Sequence, residues 1–472
     1  MGISLDPSAI LNGQGINVSA LVQEVLSESS GQLTLWQDQQ STLQSQASDL
    51  TTINSDLNTL AAAVQALADP LGALTSLSAT SSDTSVLNAS ASTSATAGTN
   101  QIVVSTLATA GTVYTDDFAG GANASFLPSG QTTGEIDLQI GGSGSTPTPI
   151  TLTAGTNDTL STLASYINTQ NLGVTASVVT DANGSRLALV SQSTGTPSAL
   201  AITGNTTNLN FDTPSGGTNA SLTLNGIPYS STSNTITGAI PGVTLNLANA
   251  SPNEAVQVTV GTDTGQITNA INNFVSAYNQ VIGDINQEVT INPNTNAQGP
   301  LGTDSSVTNL QSSLLTDAAF SVSGNSGYVN LASLGINTNN DGTLTVDSSQ
   351  LASELSTNPA AVQNFFQNTA STGFANNFNT DLTNLTNPTT GPLNTDLTQN
   401  SAEQADLTNS INNFETQLTA QQTALTAEYD QVNATLQAYP ILLQEMTETL
   451  ATLGTSSTGT TTSASPTLTS GL

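Results

Sequence analysis

Trp36-Gln-Asp-Gln-Gln-Ser-Thr-Leu43-Gln-Ser-Gln-Ala-Ser-Asp-Leu50-Thr-Thr-Ile-Asn-Ser-Asp-Leu57 brings an apolar residue back at every seventh position, and Val64 and Leu71 continue the row. Ile53, Leu60 and Leu67 form a second row three positions behind. Two rows at that spacing run along one side of an α-helix as the a/d seam of a coiled coil, with Gln, Ser, Asn and Thr between them. Pro70 and Gly72 close the helix. A shorter amphipathic stretch, 18–26, precedes it, with Leu21, Val22, Val25 and Leu26 on one side.

The other end of the chain repeats the signal. Ile411, Leu418, Leu425, Val432, Tyr439, Met446 and Leu453 again stand seven apart. Leu407 and Phe414 begin the partner row; Tyr429, Leu436, Leu443 and Leu450 continue it after a shift of one position, which alters supercoiling locally. Pro440 removes one backbone donor, and an interior Pro costs about 3 kcal/mol, so a kink or break is expected near Tyr439. The two seams pair with each other or with the same helices of sister copies. The alternative is an ordinary helical bundle in which the seam residues are simply core. Cations for e/g salt bridges are missing, so register rests on apolar shape and amide hydrogen bonds.

Between these ends the apolar period changes to two. The segments 101–107, 135–140, 150–152, 174–179, 186–190, 220–224, 243–247 and 255–260 read as strands. Asn183-Gly184 and Asn225-Gly226 are hairpin signals. One amphipathic helix, 158–170, lies among them with Leu160, Leu163 and Ile167 as its apolar set. Helix returns with Ile267, Ile271, Phe274, Tyr278, Val281 and Ile285, and 351–366 also reads as helical. The stretch 335–346 is hairpin-like around Asn340-Asp341-Gly342. Asn337, Asn339 and Asp341 imitate the start of a calcium loop, but its last position falls on Ser348 where a bidentate Glu is needed, so the turn reading is preferred.

Composition excludes most chemistry. The 472 residues contain no Cys, His or Lys; Arg186 is the one basic side chain. Thiol and imidazole nucleophiles, Schiff-base lysines, Cys/His metal sites and the P-loop are thereby removed. No cofactor or metal site is expected, and no catalytic residue. A carboxylate pair could hydrolyse a glycoside, but no pair stands out. A net charge of −32 repels nucleic acid and anionic membrane surfaces. Export without a cleaved signal is expected from the absence of a signal-peptide pattern in 1–22 and of any bilayer-length apolar run. The tail 455–472, rich in Ser, Thr and Gly, is expected to be disordered. At a carboxyl pKa near 4 most of the charge would vanish in acid, so self-assembly is expected to be stronger near pH 3–4 than at neutrality.

The order of segments resembles the family of flagellar filament cap proteins, also called hook-associated protein 2. Gly15-Ile-Asn-Val-Ser-Ala-Leu-Val is similar to the family's opening, with Asn17 where an Asp is usual. Stretch 135–200 resembles the hook-filament IN motif: a short helix ending Ile167-Asn168, then Gly173-Val-Thr-Ala-Ser-Val-Val and Gly184-Ser-Arg-Leu-Ala-Leu, with Arg186 where the motif favours Arg. Phe274-Val-Ser-Ala-Tyr-Asn, Gly299-Pro-Leu-Gly-Thr-Asp, Leu331-Ala-Ser-Leu-Gly-Ile and Asp341-Gly-Thr-Leu-Thr-Val-Asp follow in the family's order.

The resemblance implies an α+β multidomain fold: helical coiled-coil terminal legs and a helical stalk, with β-rich head domains inserted in the middle. The expected division is a leg at 1–45 paired with 415–472, and a stalk at 46–78 completed by 265–414. Head domain 1 takes 79–130 and 205–264, and head domain 2 takes 131–204. The implied role is a homo-oligomeric ring of about four to six copies at the filament tip, retaining flagellin and promoting its folding and insertion. Flagellin, hook-filament junction proteins and an export chaperone are the implied partners, and the flagellar type III apparatus the implied exporter. Expected assembly residues are Trp36, Leu43, Leu50, Leu57, Val64, Ile411, Leu418, Leu425, Val432 and Met446; Phe274, Tyr278 and Asn279 are expected in the stalk core. A secreted adhesin or S-layer-like protein is the rival, but it leaves the paired heptads and ordered motifs unexplained.

Overall fold

Helix α1, Val18–Ala68, absorbs both N-terminal amphipathic stretches into one element. Asn17 caps it by accepting from Ala20 N at 3.1 Å. Its chain-terminal stop is the Asp69-Pro70 pair, since Pro disfavours helical backbone in the residue before it. Leu71 therefore lies past the helix end, 79% exposed, outside the seam its spacing suggested. This computed structural model describes residues 16–293, 297–325, 327–368 and 372–455; the tail expected to be disordered lies almost wholly outside them.

After a 3-10 turn, Ala73–Thr75, the chain enters an outer head domain. Its strands are β1 Leu77–Ser81, β2 Leu87–Ala91 and β3 Gly98–Thr106, rejoined later by β10 Ala220–Leu224, β11 Ile227–Ser231, β12 Thr235–Ile240, β13 Val243–Leu247 and β14 Val256–Thr262. They form an antiparallel sheet of order β1-β14-β3-β10-β11 and a smaller one, β12-β13-β2. Period-two patterning sends Ile102, Val104, Leu222, Val258, Leu245 and Leu87 into a shared core. The β10–β11 hairpin turns through Asn225 and Gly226, both at positive φ, as a two-residue turn of this kind requires.

Inside that domain sits another. It holds β4 Thr112–Tyr114, β5 Thr133–Ile140, β6 Thr148–Thr153, helix α2 Leu160–Thr169, β7 Val174–Thr180, β8 Ser185–Ser191 and β9 Leu200–Asn205. Two antiparallel sheets, β4-β8-β7 and β6-β5-β9, close with α2 around Ile136, Leu152, Leu163, Ile167 and Leu187. Its core also takes Val113, Phe126, Leu127 and Leu209, which lie outside the expected 131–204. The chain crosses between the head domains at Thr109 and Thr218, where Thr109 N donates to Thr218 O at 2.9 Å and their hydroxyls lie 2.8 Å apart. Gly217 is needed there, since a Cβ would collide with Ser198 Oγ and the Gly195 carbonyl.

The helical body completes the molecule with α3 Thr264–Val289, α4 Ser305–Ala318, hairpin β15 Ile336–Thr338 and β16 Leu344–Val346, α5 Ser348–Thr357, α6 Pro359–Phe366, α7 Phe374–Leu385 and α8 Pro392–Thr455. The run 351–366, expected to be helical, holds two helices, because Pro359 ends α5 at the residue before it. Pro440 does not end α8, which runs through it to Thr455. Most neighbouring positions there are exposed, and solvent can satisfy the carbonyl that Pro440 leaves without a donor.

Candidate assembly interface

Helices α1 and α8 lie antiparallel. Gln40 Nε2 donates to Thr408 Oγ1 at 2.9 Å, and Asn54 Nδ2 to Asn394 Oδ1 at 3.1 Å. Farther out, Ile16 N donates to Asn433 Oδ1 at 2.7 Å. Asn400 and Gln404 both reach the Leu43 carbonyl, at 3.1 and 3.3 Å. Gln40 and Asn54 stand where charged pairs would flank a coiled coil in a chain with cations, while Asn400 and Gln404 lie within the apolar rows of α8. They fix register by direction as well as distance.

The apolar contact between the two helices is short. Leu43 packs with Leu407 and Ile411, flanked by Leu33 and Trp36. The Trp36 and Phe414 rings meet edge to face. Leu50, Leu57 and Val64 continue the same row of α1, yet they belong to the core of the helical body among α3, α4 and α7. The seven-residue period is thus shared between two environments: a two-helix pair at the outer end of α1 and a many-helix core at its inner end. Leu418 and Leu425 are half-buried. Val432 and Met446 are exposed, at 45% and 57%, and Tyr439, Leu442 and Leu450 are exposed with them. The outer end of α8 therefore presents an apolar stripe to its surroundings.

Phe274 and Tyr278 are fully buried in the body. Phe274 meets Phe374 and Phe378 edge to face at 5.7 and 5.9 Å between ring centroids, and Phe365 stacks on Phe374 at 5.5 Å. Asn279 does something different. Its amide donates to Leu344 O at 2.8 Å and accepts from Leu344 N at 2.6 Å, filling both backbone positions of one strand residue. Asn168 does the same to Ala176 in the inner head domain, at 2.8 Å in both directions. Asn234 does it to Ala108, at 2.9 and 2.8 Å. The sequence placed Asn279 among the expected stalk-core residues and Asn168 within the IN-like motif, and gave no sign of Asn234; periodicity carries no signal for a side-chain clamp.

Arg186 is held by Asp117 through two bonds, Nε to Oδ1 at 2.6 Å and Nη2 to Oδ2 at 2.8 Å. This ion pair holds the Asp117 carboxyl below its ordinary range. In the calcium-like stretch the side chains serve the turn: Asp341 Oδ1 accepts from Thr343 N and Oγ1 at 3.0 and 2.6 Å. Among the described residues no acidic group has the arrangement to hold a metal ion, and no helix is long and apolar enough to cross a membrane.

Comparison with known proteins places this geometry. Residues 14–111 match the family described as flagellar hook-associated protein 2 N-terminus, and 217–439 its C-terminus. Residues 136–193 match the flagellin hook IN motif. Over 394 residues the chain is 29% identical to the B-type flagellar hook-associated protein 2 of Pseudomonas aeruginosa, covering 75% of this chain and 80% of that one. It is 27% identical over 148 residues to the flagellar hook-associated protein 2 of Helicobacter pylori, covering 31% of this chain and 22% of that one. Among solved structures, the D1-D2-D3 domains of the flagellar cap protein FliD from Escherichia coli superpose with a TM-score of 0.56 at 27% identity, covering 75% of this chain and 99% of that chain.

Proposed function

The chain belongs to the flagellar hook-associated protein 2 family, and from that premise we propose that it caps the growing filament as a homo-oligomeric ring. In this reading the ring sits at the distal tip outside the cell, keeps flagellin from leaking away, and gives each arriving subunit a confined space in which to fold and insert. The work is binding and steric confinement; the family is one of structural cap proteins rather than a known enzyme family. The carrying observation is the α1–α8 pair, whose amide-set register and short apolar contact end in the exposed stripe of α8. A helix pair of this kind docks on neighbouring subunits through its free face and releases without breaking ion pairs. Flagellin and hook-filament junction proteins are the proposed partners at the tip. Before export through the flagellar type III apparatus, a chaperone would cover the α8 stripe.

Deleting the gene in its host tests this reading, with filaments viewed by electron microscopy and flagellin assayed in the medium. Bare hooks with abundant soluble flagellin are expected. Normal filaments with poorer attachment to surfaces would overturn the cap reading in favour of an adhesin.

A further inference from the structure

The chain's sole Arg lies in the inner head domain, engaged with Asp117. The helical body therefore buries its carboxyl groups with no cationic side chain to meet them. Asp317 on α4 is 5% exposed, and among the described residues its Oδ2 has no hydrogen-bond donor. The Asp381 carboxyl of α7 lies within hydrogen-bonding reach of it. From α3 the titratable group facing it is Tyr278, whose hydroxyl lies 3.5 Å from Leu314 O. An orphaned carboxyl oxygen beside a second carboxyl group has a direct resolution: one proton, covalent to one acid and donated to the other.

The arrangement recurs between α1 and α3. Asp56 faces Asp284 within hydrogen-bonding reach, and the Gln280 amide donates to both Asp284 oxygens at 3.3 Å. Asp49 of α1 and Glu288 of α3 line the same seam, and Glu288 accepts from Leu301 N at 2.8 Å. Between α8 and α4, Asp396 has a second buried orphan oxygen, with Ser306 and Asp304 beside it. Asp304 is already engaged as the α4 cap. The acid contacts thus join α1 to α3, α4 to α7 and α4 to α8.

We propose that the helical body is latched by protons shared between facing carboxyl groups, Asp317 with Asp381 and Asp56 with Asp284, so that acid tightens it and alkali loosens it. Burial first, then the facing acid, pushes Asp317 up to about 8 and Asp56 up to about 6. The folded chain keeps protons that the unfolded chain, titrating at 3.8, has released. The stabilisation is fully present below 3.8; Asp56 loses its part as pH rises to about 6, and Asp317 as it rises to about 8.

The test is urea unfolding of the full chain, followed by far-UV circular dichroism across this pH range. Three proteins are compared: wild type, Asp317→Asn, and Asp38→Asn as an exposed control on α1. An amide at 317 donates to Asp381 at every pH and does not ionise. One shared proton changes the unfolding equilibrium constant roughly tenfold per pH unit. Asp317→Asn is expected to remove that much slope up to about pH 8, while the control keeps the wild-type slope. General repulsion among the acids is common to all three and cancels in the comparison. Asp284→Asn should flatten only the part below about pH 6, and reads out the latch if the 317 variant does not fold. Wild-type slope in both Asn variants, or a loss of stability equal at every pH, would overturn the proposal.

Discussion

Trp36 and Phe414 meet edge to face with ring centroids 5.3 Å apart and planes at 76°. They come from opposite ends of the chain and sit beside the Leu43–Leu407–Ile411 contact of the α1–α8 pair. An aromatic pair of this geometry contributes about 0.5–1.5 kcal/mol beyond its buried area. Trp36 is the chain's single Trp, so its fluorescence reports this contact alone. Phe414→Ala is expected to shift that emission to the red and to free the outer part of α1, while the β-sheet signals of the head stay unchanged. An unshifted emission would mean the pair is not held by this contact.

Leu50→Ala and Leu425→Ala should behave differently although both residues occupy heptad positions. Leu50 is almost fully buried in the body core, and its truncation should cost about 2–5 kcal/mol of stability in urea unfolding. Leu425 is half-buried on α8, so its loss should leave the midpoint nearly unchanged and weaken self-association in sedimentation. Equal destabilisation by the two would place Leu425 in a folded core.

Asn279→Asp keeps the acceptor for Leu344 N and loses the donor to Leu344 O. A carboxylate facing a carbonyl without a proton should destabilise the body by about 1–3 kcal/mol at neutral pH. Acid should restore part of this, because a protonated carboxyl regains the donor. Midpoints measured at both pH values decide it; a loss independent of pH would argue against the clamp.

Arg186→Gln tests the opposite kind of acid dependence. Arg186 holds the Asp117 carboxyl below its ordinary 3.8, so the pair's contribution is present above that value and lost as pH falls further. Carboxyl NMR should show Asp117 titrating higher in the variant, with the acid-side loosening of the inner head domain gone. An unmoved Asp117 titration would mean that the ion pair does not persist in solution.

Much of the architecture was readable because it depends on period. The seven-residue rows gave α1 and α8, and alternation gave β5, β7, β8, β10, β13 and β14 within a residue or two and β3 within three. What escaped was set by tertiary context. Helices α4 and α7 have narrow apolar faces, Val307, Leu310 and Leu314 in one and Phe374, Phe378 and Leu382 in the other, within largely polar sequence. The strands Leu77–Ser81 and Leu87–Ala91 are short and rich in Ser and Ala, and gain their place only by pairing with β14 and β13. A seam row cannot announce where a two-helix contact ends and a core begins, so Leu50, Leu57 and Val64 looked like Leu43 and Trp36. The facing acids and the Asn279 and Asn234 clamps join residues far apart in the chain, and no local pattern encodes them; the Asn168 clamp spans only eight residues.

The way one head domain sits inside the other has an evolutionary consequence. β1 and β14, which open and close the outer head domain, are hydrogen-bonded neighbours, Leu77 opposite Thr262. Thr109 and Thr218, which open and close the inner one, touch as well. Each domain thus enters and leaves its host through one narrow doorway. An inserted unit whose ends already meet can be enlarged, exchanged or deleted with little strain on what carries it. Variation in the head domains is therefore mechanically decoupled from the helices, and a lineage can reshape them while keeping the helical body beneath.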